Sequence, residues 1–267
     1  MIKKIFRILG SLDYYILSFF KNRIGLNNFD IEKNGEKFIA EAFAKSIEKP
    51  IVFDVGANQG DWSEIFLKAN ESSSIYMFDA NPDICKSLDE RFFGKNVTIT
   101  NTLVSKDLEE HEFYISKKNS LSGASSMYEH YYLKGNNKKI SVQSTTIDSF
   151  CRSRNISKID FMKADIEGAE VPMLEGAKEM IEKQSISIIQ LEYNQTWIKS
   201  HSSLKDIFEI CESSGYKLYR IMPKALMALD YYHYIVDDFN YQNLLMVSEQ
   251  AELPVRVIKN IMPDGVY

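Results

Sequence analysis

The residues best suited to chemistry in this chain are acids set beside glycines and at the ends of apolar runs. Asp54 precedes the turn Gly56-Ala-Asn-Gln-Gly60, and Asp79 follows Gly56 by 23 residues. Asp165 and Glu192 each close a later apolar run, with Lys163 two residues before Asp165 and Asn194 two after Glu192. The four histidines, His111, His130, His201 and His233, show no metal-ligand spacing such as two on one helical turn.

The turn after Asp54 permits close backbone approach to a ligand. A dinucleotide site would read Gly-x-Gly-x-x-Gly and present a helix N-terminus to a pyrophosphate. Here the turn reads Gly-x-Asn-x-Gly, with Asp54 before it and Asp61 after it. Carboxylates on both sides repel a pyrophosphate and suit a cationic ligand, and S-adenosylmethionine carries a sulfonium, an ammonium and no phosphate. Asp79 stands where an acid accepts hydrogen bonds from ribose hydroxyls. Its competing role is the cap of a helix beginning at Pro82, for which Asn81 is the better residue. The cofactor set is therefore Asp54, Gly56, Asn58, Gly60, Asp79 and Asn81.

These residues need a frame. Ile51–Val55 is short, apolar and β-branched, as a buried parallel strand is. A helix over 61–69 follows, then strands at 75–78 and 97–100 around a helix at 83–93. Strands alternating with helices argue for parallel βαβ units. Residues 101–145 break the rhythm, with strands at 111–116 and 140–144 and a serine-rich loop, 120–126, between them. Long loops of this kind are often binding loops or lids. The rhythm returns with strands at 159–164 and 186–191, helices at 168–183 and 204–213, and strands at 216–221 and 244–247. Helices are expected at 3–22 and 32–47. The special residues thus gather at the carboxyl ends of the strands, where open α/β sheets bind ligands.

The chain has 267 residues, a formal charge of −5, 45% hydrophobic and 26% charged residues, which is ordinary globular usage. No basic face marks a nucleic-acid binder. Cys85, Cys151 and Cys211 are odd in number and far apart, and read as reduced thiols of a cytoplasmic protein. Arg7 and Asp13 interrupt the apolar N-terminus, which argues against a signal peptide or a membrane span. A packed helix or one lying against the inner face of the membrane remains. Three segments are expected: an N-terminal helical extension over 1–48, a catalytic domain over 49–248 and a tail over 249–267. Oligomeric state is not legible.

Val52-Phe-Asp-Val-Gly-Ala-Asn-Gln-Gly-Asp-Trp-Ser63 resembles the first motif of FkbM-type methyltransferases, and Phe78-Asp-Ala-Asn-Pro82 their second. Thr146-Ile-Asp148, Asp160-Phe-Met-Lys-Ala-Asp-Ile-Glu-Gly-Ala-Glu170, Ile188–Asn194 and Tyr241–Val247 continue the likeness in family order. Asp79 and Ala80 stand where Glu and Pro are usual. The resemblance implies a class I, Rossmann-like three-layer α/β sandwich with a seven-stranded, mostly parallel sheet whose last strand is antiparallel. It implies O-methylation by S-adenosylmethionine of a sugar, glycan or related natural product. Asp165, Lys163 and Glu192 are the catalytic candidates, and Ser125, Ser126 and Asn194 the acceptor-binding ones. Asp165 or Lys163 could assist deprotonation of a hydroxyl. Alternatively Asp165 and Glu192, with Asn194, could hold a divalent cation such as Mg2+, or the acids could merely order loops. The tyrosines 128, 131, 132, 231, 232 and 234 could line an acceptor pocket. Competing readings are a nicotinamide-dependent oxidoreductase on a similar sheet and a non-catalytic methyltransferase-fold subunit.

Overall fold

The computed structural model describes residues 25–116, 126–128, 137–234 and 237–259. The expected helix at 3–22, Ser125 and the tyrosines 131 and 132 lie outside the described residues.

Its centre is a twisted sheet of nine strands in the order β3-β2-β1-β7-β8-β11-β9-β10-β12, reading from one edge. β1 (Ile51–Val55), β2 (Ser74–Asp79), β3 (Val97–Asn101), β7 (Ile159–Ala164) and β8 (Ile186–Tyr193) run parallel. β11 (Gln242–Ser248) is inserted antiparallel between β8 and β9 (Tyr216–Met222). These seven strands are the ones the sequence pattern marks. β10 (Ala225–Ala228) and β12 (Val257–Ile258) extend the edge beyond them. They are too short, and β10 too poor in alternation, to register as strands.

Helices cover both faces. On one, α1 (Glu36–Ser46) and α2 (Asp61–Ala69) pack Ile39, Phe43, Trp62 and Phe66 against Val52, Phe161, Ile188 and Leu245. On the other, α4 (Ile147–Arg154), α5 (Glu170–Glu175), α6 (Lys178–Glu182) and α8 (Leu204–Ser214) bury Phe150, Met173, Ile181 and Phe208 against Phe53, Met162, Ile189 and Met246. α3 (Pro82–Arg91) follows β2, capped by Asn81, and α7 (Trp197–Ser200) follows β8. α1 lies inside the segment 1–48, yet it shares one apolar cluster with β1, and Val257–Ile258 of the tail joins the sheet.

The single helix expected over 168–183 is two helices. Glu167 and Gly168 have φ of 55° and 101°, so the helix starts at Glu170. It breaks at Gly176, where a Cβ would lie 2.1 Å from the Ser105 carbonyl oxygen. α4 escapes the helical pattern, although Thr146 Oγ1 caps it by accepting from the Ser149 N–H at 3.0 Å.

Among the described residues of 101–145, Leu103–Val104, Asn137–Thr145 and Glu110–Ser116 form a small second sheet, β4-β6-β5. Its apolar cluster of Leu103, Phe113, Ile115 and Val142 stands against Ala80 and Met127 beside the end of β2.

Candidate active site

Strand register assembles the polar centre. Asp54 of β1 pairs with Lys163 of β7, and Lys163 with Gln190 of β8. Side chains at equivalent positions of neighbouring strands share a face, as do residues two apart. Asp54, Lys163, Asp165, Gln190 and Glu192 therefore rise from the α1 face near the carboxyl ends of the strands. Lys163 Nζ donates to Asp165 Oδ2 at 3.0 Å. Burial works against its charge, but Asp165, Asp54 and Glu36 outweigh it and lift the ammonium above the ordinary lysine value. This pairing favours the ammonium over the free amine that would accept a proton from a hydroxyl. Burial raises Asp54 and Glu36 in turn, and Lys163 opposes both rises.

Two clefts open at this edge, sharing Asn58 and Asp165 in their walls. The first runs from Gly56 and Asp79 into an apolar slot formed by Ile84, Leu103, Phe113 and Met127. Asp79 stands at its centre, each oxygen anchored by a backbone N–H: Asn58 to Oδ2 at 3.0 Å and Asn81 to Oδ1 at 2.8 Å. Burial pushes its carboxyl up to about 6 despite those two donors. Asp54 Oδ2 accepts from Ser63 Oγ at 2.6 Å, while Asp54 Oδ1 and Asn58 Oδ1 are buried acceptors without a partner. An adenosine could enter the apolar slot, and its ribose hydroxyls could donate to Asp79.

Gly56 is required by the fold. At φ 79° it passes so near β7 that a Cβ would lie 2.0 Å from the Asp165 carbonyl oxygen. Gly60 is pressed onto Phe92 and Leu88 of α3, and Asn81 is fully buried as the α3 cap, its Oδ1 accepting from the Asp83 N–H at 3.0 Å. Neither lines the cleft. Asp61 leaves it too, ion-paired with Arg91 at 2.7 Å, so the electrostatic case against a pyrophosphate rests on Asp54.

The second cleft is lined by Asp165, Glu167, Glu192, Asn194 and Thr196 with the aromatic rings of Phe29, Phe239 and Tyr241. Asn194 Nδ2 donates to Glu192 Oε1 at 2.5 Å, and its Oδ1 accepts from the Thr196 N–H at 2.7 Å. Burial, then Asp165 and Glu170, push Glu167 up to about 8, and burial with Asp165, Glu167 and Glu36 holds Glu192 well above the usual range. Glu170 braces the loop beneath, accepting from the N–H groups of Ile166 and Gly168, each at 2.9 Å. Ser126 spends its hydroxyl on the Glu167 carbonyl at 3.0 Å and lines neither cleft. Among the expected tyrosines, Tyr232 bonds Asp237 at 3.1 Å, while Tyr231 and Tyr234 are exposed. Among the described residues no group of three or more His, Cys, Asp or Glu side chains is arranged to hold a metal ion.

Several site residues carry no sequence signal. Glu36 looks like an ordinary first-turn acid, yet its carboxylate accepts from Asn34 Nδ2 at 2.6 Å, Gln190 Nε2 at 2.9 Å and the Tyr241 hydroxyl at 3.3 Å. Phe29 and Tyr241 meet only through tertiary contact, with ring centroids 4.2 Å apart.

The strand order, the reversed β11 and the glycine turn facing an acid at the end of β2 together define a class I S-adenosylmethionine-dependent methyltransferase. The chain belongs to the FkbM methyltransferase family, whose domain matches residues 54–218. It is 23% identical over 177 residues to the 2-O-methyltransferase NoeI of Sinorhizobium fredii, a match covering 61% of this chain and 72% of that protein. Among solved structures it is similar to an S-adenosylmethionine-dependent O-methyltransferase of Thermotoga maritima, at 10% identity and a TM-score of 0.41, over 82% of this chain and 66% of that one. It is also similar to TrmK of M. capricolum in complex with S-adenosylhomocysteine, at 15% identity and a TM-score of 0.40, over 85% and 72%.

Proposed function

We propose that this methyltransferase transfers a methyl group to a hydroxyl of a sugar or related glycan acceptor. The observation that carries the reading is the meeting of two differently built clefts at Asn58 and Asp165. One offers an apolar slot, a ribose acceptor in Asp79 and the amide of Asn58, with Asp54 buried behind that wall. The other offers carboxyl and amide groups beside aromatic rings, which suits a polyhydroxylated ring. The likeness to a 2-O-methyltransferase supports oxygen as the target. No Lys, Arg or His lines the second cleft among the described residues, which speaks against a nucleic-acid acceptor.

The bound cofactor supplies an electrophilic methyl group on a sulfonium. The chain's own residues do the rest. Asp79 and Asn58 hold the cofactor from one side, and Glu192 and Asn194 orient the acceptor from the other. Asp165 lies in the wall common to both clefts, where it would receive the proton of an acceptor hydroxyl. Lys163 keeps Asp165 in place through its 3.0 Å hydrogen bond. Much of the rate comes from this positioning, since alkyl hydroxyls are weak nucleophiles.

The test is incubation with S-adenosylmethionine and a panel of methyl pyranosides and simple phenols, with products read by mass spectrometry and linkage analysis. A methylated pyranoside hydroxyl is expected. Methylation of phenols with no pyranoside product would overturn the sugar reading.

A further inference from the structure

The wall of the second cleft carries an aromatic ring that packing among the described residues leaves largely uncovered. Phe29 is 73% exposed, although large apolar side chains are normally covered. It is held, nonetheless. Its ring sits 4.2 Å from that of Tyr241, tilted by 45°. Tyr241 is 5% exposed, and its hydroxyl is fixed by Glu36 at 3.3 Å and Asn243 Nδ2 at 3.2 Å. Its main chain is tied to the Phe29 segment: the Tyr241 N–H donates to Asn27 Oδ1 at 3.0 Å, and the Asn27 N–H to the Tyr241 carbonyl at 2.8 Å. Asn27 Nδ2 adds a bond to Asn240 Oδ1 at 2.9 Å. A ring anchored from behind and bare in front is a platform.

Two features say what lies on it. The cleft is lined by Asp165, Glu167 and Glu192 with no Lys, Arg or His among the described residues, so an acceptor bearing a carboxylate or phosphate would give up its hydration with no lining cation to replace it. The same lining is rich in groups that accept from or donate to hydroxyls, with Asn194 and Thr196 among them. A flat apolar ring beside hydroxyl-binding groups matches a pyranose, which has one face of C–H groups and a rim of hydroxyls. The cleft also reaches Asp165, so a ring lying on Phe29 presents its rim toward the point of transfer.

Resting on the sugar reading above, we propose that Phe29 is an acceptor subsite on which an uncharged pyranoside stacks, and that the wall, offering no cation, disfavours anionic sugars. This residue precedes the segment 54–218 that the family domain matches.

The experiment is saturation-transfer NMR on the full chain loaded with S-adenosylhomocysteine. The probes are methyl glucoside, methyl galactoside, methyl fucoside and methyl glucuronide, with wild-type, Phe29→Ala and Phe29→Trp proteins. At least one neutral pyranoside is expected to show saturation concentrated on the C–H protons of one ring face. Phe29→Ala should weaken that signal at least about tenfold, the loss of a contact of roughly 1.4 kcal/mol, and Phe29→Trp should retain it. The glucuronide should bind at least about tenfold more weakly than its neutral counterpart. In turnover, Phe29→Ala should raise the acceptor KM with kcat little changed. Because Phe29 is exposed, its variants fold, and unchanged S-adenosylhomocysteine affinity verifies this. Undiminished binding in Phe29→Ala, or equal binding of the glucuronide, overturns the subsite and leaves the sugar reading standing. Absence of binding and methylation for every pyranoside, with methylation of a phenol, overturns the sugar reading itself.

Discussion

On the proposed function, Asp79 and Asp165 divide the work at the level of single residues. Asp79 already accepts two backbone N–H groups, and its remaining lone pairs face the cleft. Asp79→Ala should raise the dissociation constant for S-adenosylhomocysteine at least about tenfold by calorimetry. The carboxyl is raised to about 6 by burial, so it is charged above that pH and gains a proton below it. Ribose hydroxyls donate best to the charged form. Affinity should therefore be level above about pH 6 and fall by up to about tenfold per pH unit below it, a dependence that Asp79→Asn should abolish. Asp165→Asn is expected to act on rate instead, lowering kcat by roughly 10²–10⁴ with cofactor affinity little changed. A matching loss of affinity would move Asp165 from transfer to cofactor binding. The acids themselves were legible in the sequence because each ends a strand. Their partners were not: nothing in spacing shows that Asp61 turns to Arg91 or that Glu36 reaches Lys163's neighbourhood through Gln190.

At the scale of elements, the turn between β1 and α2 is held by steric fit as much as by ligand chemistry. Gly56→Ala would drive a Cβ into the Asp165 carbonyl, whereas Gly94, at φ 74°, has nothing within 4 Å. Gly94→Ala should cost only backbone strain, about 1–2 kcal/mol. Gly56→Ala should cost more and also separate β1 from β7, so that thermal unfolding falls further and S-adenosylhomocysteine no longer raises the melting temperature. Asn81 gives the complementary case. As a cap, its change to Ala should lower stability by about 1 kcal/mol while leaving cofactor affinity within error in calorimetry. The motif around Gly56 was readable because a strand, a glycine turn and a helix follow one another locally. The break at Gly176 was not, since its cause is the Ser105 backbone, far away in the chain.

Over the whole molecule, βαβ rhythm made the sheet legible, and the reversal of β11 came only with the family resemblance. The small sheet β4-β6-β5 shows why the acceptor and adenine walls were harder. Leu103, Phe113 and Met127 have no common period in sequence, and they become one surface only when β5 folds back on β6. On the proposed function, the cofactor lies in the cleft roofed by that sheet and the acceptor in the cleft beneath Phe29 and Tyr241. A crystal structure of the complex with S-adenosylhomocysteine tests this most directly. The adenine should lie among Ile84, Leu103 and Phe113, the ribose hydroxyls should bond Asp79, and the sulfur should sit beside Asn58 and Asp165, facing Glu192. An adenine lodged against Phe29 and Tyr241, or a ribose that leaves Asp79 untouched, would contradict it.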